Sequence, residues 1–156
     1  MVMEDAKQKV WDTRLFSLAQ QVAEWSSDPS TKVGSVIVGP TNDVRAIGYN
    51  GLPRNIEDDQ GLFERPLKNF WIEHAERNAI YTAARIGVPL PGCRMYVSWF
   101  PCAECARAIV QVGISEVVCV EPAWDHPRWS DQFLHAKRIL QAGAVALRFV
   151  ADDKSK

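Results

Sequence analysis

The spacing of apolar positions changes period several times along the chain, and each change marks an element. Trp11, Leu15, Leu18, Val22 and Trp25 recur at steps of 4, 3, 4 and 3, one face of a helix over residues 4–26. The run Ser26-Ser27-Asp28-Pro29-Ser30-Thr31 ends it, because such side chains bond their own backbone and favour turns and caps. Val33–Val38 and Val44–Tyr49, with Gly39-Pro40-Thr41-Asn42-Asp43 between them, read as an antiparallel hairpin. Glu73–Ile86, EHAERNAIYTAARI, is dense in helix formers and stops at Gly87, with Pro89 and Pro91 beyond. Arg94–Trp99, Val117–Val120 and Val145–Val150 read as strands. Cys102–Val112, opened by Pro101, and Ser130–Gln141, ending before Gly143, read as helices.

The order α, β, β, α, β, α, β, α, β predicts an α/β fold in three layers, α/β/α. Its mixed five-stranded sheet has one hairpin strand running antiparallel and helices on both faces. The last three strands are each reached through a helix, so right-handed crossovers should set them parallel to their neighbours. Gly51–Asn69, with two prolines, two glycines and the acidic run Glu57-Asp58-Asp59, reads as a loop with room for a short helix. Its length suits a lid or binding loop, or else an inert surface excursion. Residues 151–156 form a polar tail, and nothing divides residues 1–156 into more than one domain.

Charge narrows the set of partners. Eighteen basic against nineteen acidic side chains give a net charge of −1, which supplies no general drive for phosphate-backbone binding and counts against polynucleotides. No apolar run is long enough to span a membrane, and the opening MVMEDAKQKV lacks the apolar core of a secretory signal, so the expected compartment is the cytoplasm. Of four cysteines, Cys93 and Cys119 stand alone beside apolar segments and read as small buried hydrophobes.

The other two carry the chemistry. His74-Ala75-Glu76 is followed by Pro101-Cys102-Ala103-Glu104-Cys105, the pairing of H-x-E with P-C-x-x-C that marks zinc-dependent deaminases. One neutral imidazole and two thiolates cancel the charge of a zinc ion and leave its fourth position open. Cys102 and Cys105 stand at a helix start, where exposed N–H groups and the dipole favour thiolates. Side chains two apart on a regular helix diverge, so His74 and Glu76 can share a site only where the helix begins. Glu76 is then a proton carrier and not a fourth ligand. A closed zinc site or a redox Cys-x-x-Cys is the competing reading; His126 and His135 are too loosely placed to complete a closed site.

With these residues the chain resembles the cytidine and deoxycytidylate deaminases, from Trp11 to about Val150. Asp28-Pro29-Ser30-Thr31-Lys32-Val33-Gly34, Gly48-Tyr49-Asn50-Gly51-Leu52-Pro53-Arg54 and His74-Ala75-Glu76-Arg77-Asn78-Ala79-Ile80 resemble the deoxycytidylate branch. The resemblance implies that His74, Cys102 and Cys105 hold one zinc per chain, that Glu76 is the acid and base, that Asn50 bonds the sugar, and that the backbone at Ala75 touches the base. Lys32, Arg54 and Arg77 are candidates for the substrate phosphate, Arg54 first. Gly48, Tyr49 and Gly51 read either as a strand end and turn or as contacts for a deoxynucleoside triphosphate effector, in a homo-oligomer, hexamer or dimer. Ser98-Trp99-Phe100 departs from the branch, and Trp99 or Phe100 would line the base pocket.

The reaction so implied is hydrolytic deamination of dCMP to dUMP and ammonia, with backbone N–H groups at the Cys102 helix start aiding the developing charge. The alternatives are a zinc deaminase of another amino-substituted base (a nucleoside, guanine, tRNA adenosine or single-stranded DNA cytosine), or a zinc-stabilised non-catalytic binding module.

Overall fold

The computed structural model describes residues 2–152, so residues 153–156 of the polar tail lie outside the described residues. The elements are α1 (Val2–Ala23), β1 (Gly34–Val38), β2 (Val44–Tyr49), α2 (Lys68–Trp71), α3 (Ala75–Ile86), β3 (Arg94–Val97), α4 (Ala103–Gln111), β4 (Glu116–Cys119), α5 (Ser130–Ala142) and β5 (Ala146–Phe149). The short α2 closes the irregular stretch after Gly51.

Helix α1 buries Leu15, Phe16, Ala19, Val22 and Ala23, a stripe that includes two alanines. The alanines are needed because the sheet comes very close: a Cβ on Gly34 would stand 2.1 Å from the Ala19 carbonyl oxygen. Trp25, the last residue of the expected apolar face, lies past the helix end, is 57% exposed and meets Tyr49 edge-on. Periodicity among large side chains alone therefore overextended the stripe.

The sheet order is β2-β1-β3-β4-β5. β1 is antiparallel to both β2 and β3, while β3, β4 and β5 are mutually parallel. One expected pairing is corrected: the crossover from β2 through α3 does not set β3 beside β2. The hairpin places β1 on that edge, and β3 pairs antiparallel with β1 instead. Strands β1, β3 and β4 alternate between two buried faces. Val36, Val38, Tyr96 and Val118 pack with α1. Ile37, Met95, Val97, Val117 and Cys119 join the side chains of α3, α4 and α5 in the other core. Cys93 and Cys119 are buried free thiols.

Because β1 runs against its neighbours, its start meets the ends of β2 and β3 at one edge of the sheet. The chain leaves β3 toward α4 at this edge, and residues 120–129 leave β4 there as well. No helix among the described residues is long and apolar enough to cross a membrane.

Candidate active site

The edge just described gathers two helix N-termini. His74 precedes α3 with an extended backbone (φ −81°, ψ 153°), and Cys102 precedes α4 likewise (φ −77°, ψ 171°). A short antiparallel bridge fixes the approach to His74: Gly51 N–H donates to Glu73 O at 3.1 Å and Glu73 N–H to Gly51 O at 2.9 Å. Because His74 is outside the helix and Glu76 is in its first turn, both line the same cavity.

The Nδ1 of His74 is 3.5 Å from the Sγ atoms of both Cys102 and Cys105. A tetrahedral zinc with ordinary Zn–N and Zn–S bonds needs an N···S edge of about 3.6 Å, so the donor set fits that metal. These three ligand atoms lie within 4.8 Å of one another and form the metal-competent cluster among the described residues. The two cysteines are shifted in opposite directions. Hydrogen bonding from Cys105 pulls Cys102 down to about 4 against burial, with His74 helping. Hydrogen bonding to Cys102 and burial push Cys105 up. The Cys102 hydrogen bond raises His74 above its ordinary range. Glu76, 4% exposed, is raised chiefly by burial, with His74 opposing.

The cavity above this cluster has a volume of about 720 Å³. Its floor is His74, Ala75, Glu76 and Cys102. One wall is the 28–33 loop with Asn50. The Asn50 side chain donates to Thr31 O at 2.8 Å and Asp28 Oδ2 at 3.2 Å, and accepts from Val33 N–H at 2.8 Å. Asp28, fully buried, also pairs with Lys68 Nζ at 2.5 Å. Burial pushes the Asp28 carboxyl up, but Lys68 and the N–H groups of Ser30 and Thr31 outweigh it and leave the pKa lowered. Lys68 thereby ties the irregular stretch after Gly51 to the cavity, where Arg65, Asn69 and Ile72 of that stretch also appear. It is a wall of the site and not an idle excursion.

Trp99 forms the opposite wall, 41% exposed, edge-on to His126 and tilted against Phe133. Phe100 is buried beneath it among Trp124, Phe133 and Phe149. Two of the three phosphate candidates are placed elsewhere. Arg54 is exposed and outside the lining, and Lys32 pairs with Glu24 at 3.5 Å, also outside it. Arg77 does line the cavity but is spent on Glu73 (2.5 Å) and Glu104 (2.6 Å), joining the two helix starts. At the Cys102 helix start, the Ala103 N–H donates to Gln132 Oε1 at 3.1 Å. Gly48 is buried under α3, Tyr49 is half exposed with its carbonyl accepting from Asn78, and Gly51 forms the bridge to Glu73.

Sequence reasoning missed Arg65 and Lys68 as cavity residues, and with them His126, Arg128, Trp129 and Gln132. The parallel order could have found the last four, since loops at the carboxyl ends of adjacent parallel strands share one edge.

A profile of the cytidine and deoxycytidylate deaminase zinc-binding region matches residues 9–121, a stretch that holds His74, Glu76, Cys102 and Cys105. The chain belongs to the cytidine and deoxycytidylate deaminase family. An Aliivibrio fischeri protein named as an uncharacterized deaminase in the luxG 3′ region is 38% identical over 92% of this chain and 95% of its own. A Drosophila melanogaster protein named as a probable deoxycytidylate deaminase is 39% identical over 86% of this chain and 70% of its own. Among solved structures, the dCMP deaminase of cyanophage S-TIM5 in apo form superposes with a TM-score of 0.73 at 21% identity. It covers 89% of this chain and 96% of its own, a likeness of fold.

Proposed function

We propose that the chain catalyses the zinc-dependent hydrolysis of dCMP to dUMP and ammonia. The observation that carries this reading is the spacing of His74, Cys102 and Cys105, matched to a tetrahedral ion, with a buried carboxyl beside it in an open cavity. The probable deoxycytidylate deaminase of the fly, 39% identical, supports the choice of base and sugar.

Bound at this site, zinc supplies a water of lowered pKa as the nucleophile toward C4 of cytosine. His74 and the two cysteines would hold the ion at the starts of α3 and α4. Glu76 moves the protons. Its carboxylate accepts one from the attacking water and delivers it to N3, then passes the next to the departing amine, so one water is consumed and one ammonia leaves. Burial raises Glu76 toward the range in which a carboxyl can both take and return a proton. The Ala75 backbone and Trp99 would bound the base, and Asn50, held by the 28–33 loop in the cavity wall, would bond the sugar.

The chain acts as one domain in the cytoplasm and assembles with copies of itself. Trp25, Tyr49, Tyr81 and Ile86, each exposed by 41–58%, support a homo-oligomer, and a deoxynucleoside triphosphate effector would meet the Gly48–Gly51 segment at the exposed Tyr49. The test is a panel of zinc-loaded protein with dCMP, deoxycytidine, guanine and a cytosine-containing oligonucleotide. Ammonia release with dCMP in preference to the others is expected; release with another substrate and none with dCMP overturns the reading.

A further inference from the structure

Four cations line the cavity, and they are not equivalent. Arg77 is bound to two carboxylates and Lys68 to the buried Asp28. Arg65 donates to Asn69 at 2.6 Å and is exposed on the irregular stretch. Among the described residues Arg128 forms no ion pair, and neither Asp125 nor Asp131 beside it in the sequence reaches it.

Two residues earlier, His126 is held in an unusual way. Its Nδ1 accepts from two backbone N–H groups, those of Arg128 at 3.1 Å and Trp129 at 3.2 Å. A ring nitrogen that accepts twice carries no proton, so the proton is on Nε2. The ring is wedged edge-on between Trp99 on the cavity wall and Phe133 in the core, both at 6.2 Å. The Nε2–H is therefore an oriented donor on a half-buried ring in the cavity lining, and among the described residues the ring's hydrogen bonds are the two at Nδ1. A fixed donor beside an unspent guanidinium is a pair made for an anion with several acceptor oxygens.

We propose that His126 and Arg128 bind the 5′-phosphate of the substrate and so set the preference for a nucleotide over a nucleoside. The assignment rests on the deoxycytidylate reading above and names the residues that would enforce it. The same loop that packs against Trp99 then couples phosphate recognition to the base wall, since His126 touches the Trp99 ring directly.

The test compares kcat/KM for dCMP and for deoxycytidine, which differ only in the phosphate, in zinc-loaded wild type and in R128A, H126N, R65A and R54A. Asparagine at 126 places an acceptor where Nδ1 stands, so the two N–H groups stay capped while the Nε2–H donor is lost. The dCMP-to-deoxycytidine ratio should fall about 10- to 100-fold in R128A and about 10-fold in H126N, and less than about threefold in R65A and R54A. A wild type that prefers dCMP, with R128A and H126N keeping its ratio, overturns this assignment alone. So does a collapse of the ratio in R65A or R54A instead. A wild type indifferent to the phosphate, or inactive on both compounds, removes the deoxycytidylate reading and this assignment with it. Arg128 is exposed and its truncation strands no buried group, so R128A decides the matter even where H126N folds poorly.

Discussion

Gly48→Ala tests how the sheet sets the site. A Cβ at this position would stand 2.3 Å from Ala79 N, 2.4 Å from the Ala75 carbonyl oxygen and 2.8 Å from the Asn78 carbonyl carbon. All three are backbone atoms of α3, so no side chain can swing aside; the helix itself must retreat by about 1 Å. Overpacking of this kind costs about 1–3 kcal/mol, and the upper end applies when backbone must move. At about 2–4 °C per kcal/mol for a chain of this size, the melting temperature should drop by about 6–12 °C. The retreat also carries His74 and Glu76 away from Cys102 and Cys105, and a metal tetrahedron tolerates only about 0.2 Å. Thermal unfolding and elemental zinc analysis would be run together, with Gly51→Ala as the comparison. A Cβ on Gly51 meets nothing within 4 Å, and its variant should melt within about 2 °C of wild type. A G48A protein with the wild-type melting temperature and a full complement of zinc would refute the claim that close β2–α3 approach positions the site.

Lys68→Met leaves the buried Asp28 carboxylate with only its neutral hydrogen-bond donors and should cost about 2 kcal/mol, read by urea unfolding at neutral pH. The Asp28 pKa is lowered in the fold, so its contribution is full above the ordinary value of 3.8 and is lost as pH falls through the lower folded value. The stability gap between wild type and K68M should accordingly narrow in acid; a gap that widens below pH 3.8 would contradict the pairing. Chelation of zinc should lower the melting temperature, re-addition should restore it, and C105S should fail to recover bound metal.

How much of this was legible in the sequence depended on whether the signal was local. That His74, Cys102, Cys105 and Glu76 come together was readable because helix starts place them, and the residues that open a helix are written in the sequence itself. The hairpin and the parallel order of β3, β4 and β5 followed from hydrophobic runs and connection lengths. What escaped depended on pairings made far along the chain. Nothing local says that β1 separates β2 from β3, nor that Arg77 spans to Glu104 and leaves no charge for the substrate. Arg54 follows the Asn50 turn in sequence, yet the chain turns away there, and Lys68 reaches back to Asp28 instead. His126 was passed over because its role comes from two backbone donors in its own loop and from Trp99, contacts that residue identity does not reveal.

The central claim is that Glu76 moves protons for dCMP hydrolysis beside the zinc held by His74, Cys102 and Cys105. Glu76→Gln keeps the side-chain shape and removes the proton carrier. Steady-state turnover of dCMP by wild type and E76Q, each with its zinc content measured, tests it most directly. The account predicts that E76Q retains the metal while kcat falls about 100- to 10,000-fold. An E76Q enzyme with full zinc and wild-type kcat would contradict it.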